Sequence, residues 1–497
     1  LHPRVRRQRQ MCIRDRPYAR RSKRDMKLLK RYLIMKNWIH SAWQGDTLEA
    51  LSNFIKIPAK SKDFDQEWET HGFLKQALEE AMSWGKKHFP QATFEIHSLP
   101  GIPPVLYFDI PSTDGHTGKP VFFYGHLDKQ PETSPWSEEL GPWNPVVRNN
   151  RLYGRGAVDD GYAFYTTITA IKALEETNQA HPRICGLFET DEESGSTDLA
   201  TYLKMVDKRI GEPAFICILD LFASNLSRIW LTQSLRGIVN LVATVSVLTT
   251  PAHSGVASGI VPSSFRIMRE LLDRIEDAKT GKILVSSMYN EIPDYIKRIA
   301  HEITETYDPR AGFKYHQNTQ SAQASAYDAL MASTWLPTLS VLGADGLPPT
   351  SKASGLVRNS TSLKLSFRIP PGVDGKKALQ DTIKLLTHNV PYNATVEISN
   401  TAVSNGFCAP QLPSWLEKAG IESSEDLFGS KPGNMLCGGS IGTLTAFQES
   451  FPTTPFINTG ALDPESNAHA PDESLDLLYA EALTVWTANL VVATPQE

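Results

Sequence analysis

Five short segments carry histidine and acidic residues of the types that hold divalent cations. They are Tyr124-Gly-His126-Leu-Asp128, Gly154-Arg-Gly-Ala-Val-Asp159-Asp160, Glu189-Thr-Asp-Glu192-Glu193-Ser-Gly-Ser196, Ile218-Leu-Asp220 and Asn467-Ala-His469-Ala-Pro. Alone, such an aspartate usually caps a helix or closes a turn, and a lone histidine is more often a hydrogen-bonded structural group than a ligand. The set reads differently. Two histidines, His126 and His469, with three carboxylates, Asp159, Glu193 and Asp220, meet the needs of a pair of hard-to-borderline divalent ions, because one carboxylate can bridge them. The same composition speaks against a thiolate zinc site, and the absence of G-x-x-x-x-G-K-[ST] speaks against an NTPase. The cysteines, Cys12, Cys185, Cys217, Cys408 and Cys437, are scattered, odd in number and never in a Cys-x-x-Cys pair, which predicts reduced thiols.

These ligands need a scaffold that delivers them to one rim. The first four are separated by 33, 34 and 27 residues, each about one strand-helix unit, whereas His469 follows Asp220 by 249 residues, as if the chain left the scaffold and returned. Apolar spacing predicts helices over about 47–57 and 67–87, strands over 105–110 and 121–126, and a helix from near Asp160 with Tyr165, Ile168, Ile171 and Leu174 on one face. A strand over 183–190, a helix over 197–206 and a buried strand over 214–220 follow. The alternation predicts an α/β fold with a doubly wound, mostly parallel sheet, whose ligands lie just beyond the strand ends. After Arg236-Gly237 come an apolar run over 238–248, a helix over about 263–278 and alternating strands over 362–369 and 394–399, a smaller inserted α+β unit. From about Gly406 the chain is expected to rejoin the first sheet. The expected divisions are a basic tail (1–25), a catalytic domain in two parts (26–236 and 405–497) and an inserted lid and dimerisation domain (237–404).

With 497 residues, 41% hydrophobic and 21% charged, the chain is neither disordered, collagenous nor a small disulfide scaffold. No apolar stretch approaches the ~18 residues of a membrane span, and the N-terminus lacks a secretory signal's apolar core, so a cytoplasmic protein with no membrane partner is expected. The net charge of -5 conceals an asymmetry. Residues 1–36 hold 14 Lys and Arg against 2 Asp and Glu, leaving 36 against 53, a net of -17, in the other 461 residues. The tail over 1–25 has one tyrosine and no other aromatic to stack on bases, which favours a disordered tail over a nucleic-acid partner. Its segment Met11 to Pro17 resembles translated adapter sequence from assembled environmental reads, which puts the expected start at Met26 or Met35.

The five motifs, their order and the insertion resemble the di-zinc metallopeptidases that include carnosinases, cysteinylglycine dipeptidases, aminoacylases and bacterial glutamate carboxypeptidases, from about residue 40 to the C-terminus. The resemblance implies that His126, Asp159 and Asp220 hold one zinc and Asp159, Glu193 and His469 the other, with Asp159 bridging and its peptide bond to Asp160 cis. It implies Glu192 as general base. That is chemically apt, since bound zinc brings water toward a pKa of ~7 and a nearby carboxylate can take its proton and pass it to the leaving amine. Asp128, two residues after His126 on an extended chain, matches the partner that orients the histidine. Arg368 in Leu363-Lys-Leu-Ser-Phe-Arg368-Ile matches the carboxylate-binding arginine, and Gly438-Gly439-Ser440, before a predicted helix, could add backbone N–H groups to the same anion. His253, in Thr250-Pro-Ala-His253-Ser-Gly255, matches a histidine that reaches the active site of a partner subunit and stabilises the oxyanion, which implies a homodimer. Read without the resemblance, it caps the helix beginning near Ser263.

The implied activity is zinc-dependent hydrolysis of the amide bond of a dipeptide or similar small substrate with a free carboxylate. An N-acyl-amino-acid deacylase is the alternative, and manganese or cobalt are alternatives for the two metal ions. Three places depart from the family pattern. Leu436-Cys437 stand where the carnosinase branch has Arg-Glu, Gly161-Tyr162 where Lys-Gly is common, and Arg358 where many relatives have proline. The departures leave the ligand set untouched and fall around the substrate pocket, so no particular dipeptide is implied.

Overall fold

The computed structural model describes residues 23–113, 115–440 and 442–496, so the basic tail expected over 1–25 lies outside the described residues as far as residue 22. Helix α1 (Lys23–Trp43) buries Met35, Ile39 and Trp43 at helical spacing, and α2 (Asp46–Ile55) packs beside it. The helix expected over 67–87 is a single turn, Trp68–His71, followed by α3 (Phe73–His88). Gly72 between them has φ +70°, the left-handed conformation that stops a helix and that residues with a Cβ seldom adopt.

Next come β1 (Thr93–Leu99), β2 (Ile102–Ile110), β3 (Val121–His126), α4 (Tyr162–Glu176), β4 (Ile184–Glu189), α5 (Leu199–Ile210), β5 (Phe215–Ile218) and β6 (Trp230–Leu235). Every residue of β3, β4 and β5 is buried, as strands covered by helices on both faces must be. One face of these strands packs on Phe54, Leu78, Tyr165 and Trp486, the other on Tyr202, Leu203 and Phe447.

The inserted segment contributes β7 (Gly237–Ser246), α6 (Ser264–Leu272), α7 (Asp294–Thr304), α8 (Ala326–Thr334), β8 (Thr338–Asp345), β9 (Ser360–Ile369), α9 (Gly375–Thr387) and β10 (Thr395–Ser404). Its four strands form an antiparallel sheet in the order β8-β9-β7-β10. Burial alternates along β7, one face packing on Ile267, Met268 and Leu271 of α6 and on Ala378 and Leu386 of α9. Strand β8 escapes the sequence reading because it is an edge with six consecutive exposed residues, Ser340 to Asp345. Helix α6 also ends sooner than expected, at Leu272 rather than near Ala278.

The chain then forms α10 (Ser414–Phe428), β11 (Gly433–Cys437), α11 (Gly442–Ser450), β12 (Phe456–Asn458) and α12 (Leu477–Val492). Strand β12 pairs parallel with β5, which completes a central sheet ordered β1-β2-β4-β3-β5-β12. The pairs β4–β3, β3–β5 and β5–β12 are parallel, and the β1–β2 hairpin adds an antiparallel edge. Strand β11 instead joins β6 in a separate small sheet. Among the described residues no helix is long and apolar enough to cross a membrane.

Candidate metal centre and active site

Parallel pairing brings the separate motifs to one rim. His126, the last residue of β3, stands in register with Glu189, the last residue of β4, so the chain enters the Glu192-Glu193 turn next to His126. Asp220 lies two residues beyond β5. Asp159 sits in the wide turn Ala157–Gly161 before α4, and its peptide bond to Asp160 is cis. His469 arrives on the loop after β12, in a left-handed conformation with φ +62°.

The five side chains converge as two donor sets, His126 with Asp159 and Asp220, and Asp159 with Glu193 and His469, the ligand atoms of each set lying within 4.8 Å of one another. His126 Nε2 is 3.2 Å from Asp159 Oδ1 and 3.9 Å from Asp220 Oδ2. His469 Nε2 is 2.9 Å from Asp159 Oδ2 and 3.3 Å from Glu193 Oε2. The two Asp159 oxygens thus face different histidines, which suits a bridging ligand. The electrostatics of the chain alone fit two cations. Burial, then the charge of Asp159, pushes Glu193 well above the ordinary carboxylate range, and burial with Asp160 does the same to Asp220. Asp159 is the exception: burial would raise it, but hydrogen bonds with His126 and His469 hold it below the ordinary range. A buried Asp160 oxygen, Oδ1, has no hydrogen-bond partner. The rim therefore carries more buried negative charge than two imidazoles neutralise, and its nitrogen and carboxylate donors suit zinc and its borderline neighbours.

Asp128 is completely buried and does more than orient His126. Its Oδ1 is 3.2 Å from His126 Nδ1, and its carboxylate also accepts the backbone N–H groups of Glu192 (3.3 Å) and Glu193 (3.0 Å). An N–H at Nδ1 donated to Asp128 leaves the Nε2 lone pair facing Asp159 and Asp220. The Glu192 carboxyl feels His126, Asp159, Asp128 and His469, and burial pushes it up to about 7. Among the described residues none hydrogen-bonds that carboxylate, so both oxygens are available to a proton.

The residues assigned to the substrate carboxylate also meet. Arg368 Nη1 donates to Ser440 Oγ at 2.8 Å, and Ser440 Oγ donates to the carbonyl of Arg236. Ser196, just past the Glu192-Glu193 turn, is 2.9 Å from Thr443 at the start of α11, which ties this corner to the donor sets. Among the described residues the helix after the glycine pair runs from Gly442, the Gly439 N–H is donated to Cys437 Sγ at 3.4 Å, and Gly438 packs on the Ser333 carbonyl and the Arg236 guanidinium. His253 lies elsewhere. It is exposed on the inserted unit, paired with Leu356, and its Nδ1 accepts the Gly255 N–H at 3.1 Å. The helix near Ser263 is capped by Ser263 itself, whose Oγ accepts the Arg266 N–H.

Several supports were not foreseen. Gln130 Nε2 donates to Glu193 Oε2 at 2.6 Å, and its place two residues after Asp128 was the available signal. Arg155, inside the Asp159 motif, pairs at 2.5 Å with Glu473, four residues after His469, and both are buried. Lys129 is buried with its ammonium donating to the carbonyls of Phe54, Ile55 and Ile57 at the end of α2.

The chain is similar to known proteins. The cysteinylglycine-S-conjugate dipeptidase of Corynebacterium striatum is 23% identical over 386 residues, 75% of this chain and 80% of the relative. The Cys-Gly metallodipeptidase dug1 of Schizosaccharomyces pombe is 24% identical over 449 residues, 86% of this chain and 91% of its own. The solved structure of the di-peptidase Dug1p from Saccharomyces cerevisiae superposes with a TM-score of 0.67 at 21% identity, covering 93% of this chain and 98% of that one. The sequence pattern of peptidase family M20/M25/M40 matches residues 122–492, and the chain belongs to that family.

Proposed function

We propose that the protein is a metal-dependent hydrolase that cleaves the amide bond of dipeptides with a free C-terminal carboxylate. The observation that carries this is the pair of donor sets sharing Asp159, with the buried Glu192 carboxylate, which no described residue hydrogen-bonds, beside them. Two divalent cations bound by those sets would polarise a carbonyl and acidify water. The chain's own residues do the rest. Asp128 holds His126 in the tautomer that presents Nε2, and fixes the Glu192-Glu193 turn through two backbone N–H groups. Glu192 takes a proton from the attacking water onto its carboxylate and returns it to the departing amine. Arg368, steadied by Ser440, fixes the substrate carboxylate, with Gly438 and Gly439 shaping the approach.

Dipeptidase relatives that match over most of their length support the dipeptide class. The ligand types favour zinc, with manganese and cobalt sharing the preference. Separate sheets on either side of Arg236-Gly237 support the division into a catalytic domain (26–236 and 405–497) and an inserted domain (237–404). We place the protein in the cytoplasm on its pattern of free cysteines. The inserted domain would also mediate a homodimer: the edge strand β8 exposes Val341 and Leu342, and Val256 and Ile260 are exposed beside His253. His253 would then serve the partner's site as an oxyanion donor.

The test is a panel of dipeptides, their C-terminal amides and N-acyl amino acids, assayed with zinc, manganese and cobalt. Free dipeptides should be cleaved and the amides poorly. Cleavage confined to N-acyl amino acids would replace this reading with the deacylase.

A further inference from the structure

The two donor sets rest on different supports. His126 and Asp220 project from the ends of adjacent parallel strands, with residue exposures of 0% and 8%. His469 has a side chain 54% exposed, on a loop in a left-handed conformation, and a non-glycine residue keeps that conformation only where its surroundings enforce it. The enforcing contacts converge on one buried ion pair. Arg155 donates to Glu473 at 2.5 Å and to the carbonyl of Ala470, the residue after His469, at 3.1 Å. Glu473 in turn accepts the backbone N–H of Gly156 at 2.9 Å through its carboxylate, and that of Gly154 at 3.0 Å through its carbonyl. The turn that carries Asp159 and the loop that carries His469 are therefore clasped by the same two side chains, 318 residues apart in sequence.

We propose that the Arg155–Glu473 pair is a positioning device for the second cation, holding His469 against Asp159 and Glu193, so that the two sites fill in order: His126-Asp159-Asp220 first, Asp159-Glu193-His469 second. The inference rests on the reading of the rim as a two-cation site and adds to it which residues make the second site conditional. Other ties keep the loop folded when the clasp is altered. Asp472 accepts the Ser137 N–H at 2.8 Å, and Arg151 pairs with Asp463 at 2.6 Å. Among the described residues neither pair hydrogen-bonds His469 or Ala470, so they preserve the fold without setting the imidazole.

The experiment is a calorimetric titration of chelated full-length protein with zinc chloride, with bound zinc counted by mass spectrometry, for wild type, Glu473→Gln, Arg155→Lys and the double substitution Arg155→Met with Glu473→Met. Glutamine keeps the length but sets an amide N–H against Arg155. Lysine keeps the charge but cannot reach Glu473 and Ala470 together. The paired methionines keep the volume and leave no lone buried charge, so this variant should fold even if a single one does not. Wild type should show two binding steps, and each folded variant should weaken the second on the order of 10- to 100-fold, the usual cost of losing a ligand's supporting partner, and the first by clearly less, since of its ligands only Asp159 lies on the clasped turn. Equal weakening of both steps, or a double variant that binds both ions as wild type does, would overturn the inference. Because the readout is ion binding, a wild type that takes up two zinc ions yet cleaves no dipeptide overturns the substrate reading alone.

Discussion

Replacing Asp128 by asparagine tests the core of the site with almost no change in shape. The carboxylate is buried and accepts the Glu192 and Glu193 N–H groups at 3.3 and 3.0 Å, and its Oδ1 lies 3.2 Å from His126 Nδ1, which also meets the Asp128 backbone carbonyl at 3.1 Å. An asparagine oxygen can stay with the Glu193 N–H on the Oδ2 side, but its NH2 then meets the Glu192 N–H and the His126 N–H on the Oδ1 side, donor against donor. The substitution removes at least one charge-assisted hydrogen bond, worth about 1.5–3 kcal/mol. At ~1.4 kcal/mol per factor of ten, kcat/KM should fall roughly 10- to 100-fold, from misorientation of His126 and of the Glu192 turn together. Steady-state kinetics on a cleaved dipeptide, with zinc content and melting temperature measured on the same sample, would decide it. A folded Asp128→Asn protein with kcat/KM within about threefold of wild type would show that the three contacts do not govern the site.

Glu192→Gln should retain both metal ions and lose turnover by on the order of 10²-fold or more, since glutamine cannot accept the proton; loss of metal with activity would make Glu192 a ligand and reverse the assignment of the Glu192-Glu193 pair. His253→Ala should keep zinc content and dimerisation while turnover drops by on the order of 10²- to 10³-fold, and mixing it with Glu192→Gln should restore part of the activity through heterodimers with one complete site. An active monomer, or ordinary turnover in His253→Ala, would defeat that. In the chelated protein, burial raises Glu193 and Asp220 well above the carboxylate range and Glu192 to about 7, and neighbouring carboxylates raise His126 although burial alone would lower it. All four bind more protons folded than unfolded in this range. The stability they contribute is complete below their unfolded pKa values and is lost as pH rises through the folded ones. The chelated protein should therefore melt at progressively lower temperature from pH 6 to pH 8, and the zinc-loaded protein should change far less; a chelated Tm that rises across the window would contradict the charge argument.

What the sequence disclosed follows from how strands work. Strands buried on both faces read as apolar runs, and a residue just past such a run is held at the rim, so His126, Glu193 and Asp220 could be placed at one rim from position, while only the set of five pointed to metal binding. Helix breaks were harder. The interruption at Gly72 depends on a backbone conformation rather than on spacing, and the wide turn at Ala157–Gly161 is set by what surrounds Asp159. Helices α7 and α8 are amphipathic against a small core of Ile296, Ala300, Leu330, Trp335 and Leu436, whose last member lies about a hundred residues further on. That core also explains Leu436, a departure from the family pattern that here fills space rather than carrying charge.

The least legible residues are the buried charges. Lys129 sits among motif residues and would pass for a surface lysine, yet it is buried against the end of α2, where its ammonium donates to the carbonyls of Phe54, Ile55 and Ile57 as the helix runs out of regular hydrogen bonds. Arg155 and Glu473 reveal nothing singly, since each makes sense only once the other is in place. The rim explains why such pairs are needed. Asp128, Asp159, Asp160, Glu192, Glu193 and Asp220 crowd around two imidazoles, and without cations their repulsion opposes the geometry that binds cations. Strand ends hold His126 and Asp220 against that repulsion, and Asp128 and Gln130 hold Glu193 on its turn. The other two, Asp159 and His469, lie in a turn and a loop, so their geometry must come from side chains that cross the fold, and such contacts form no local pattern in the sequence.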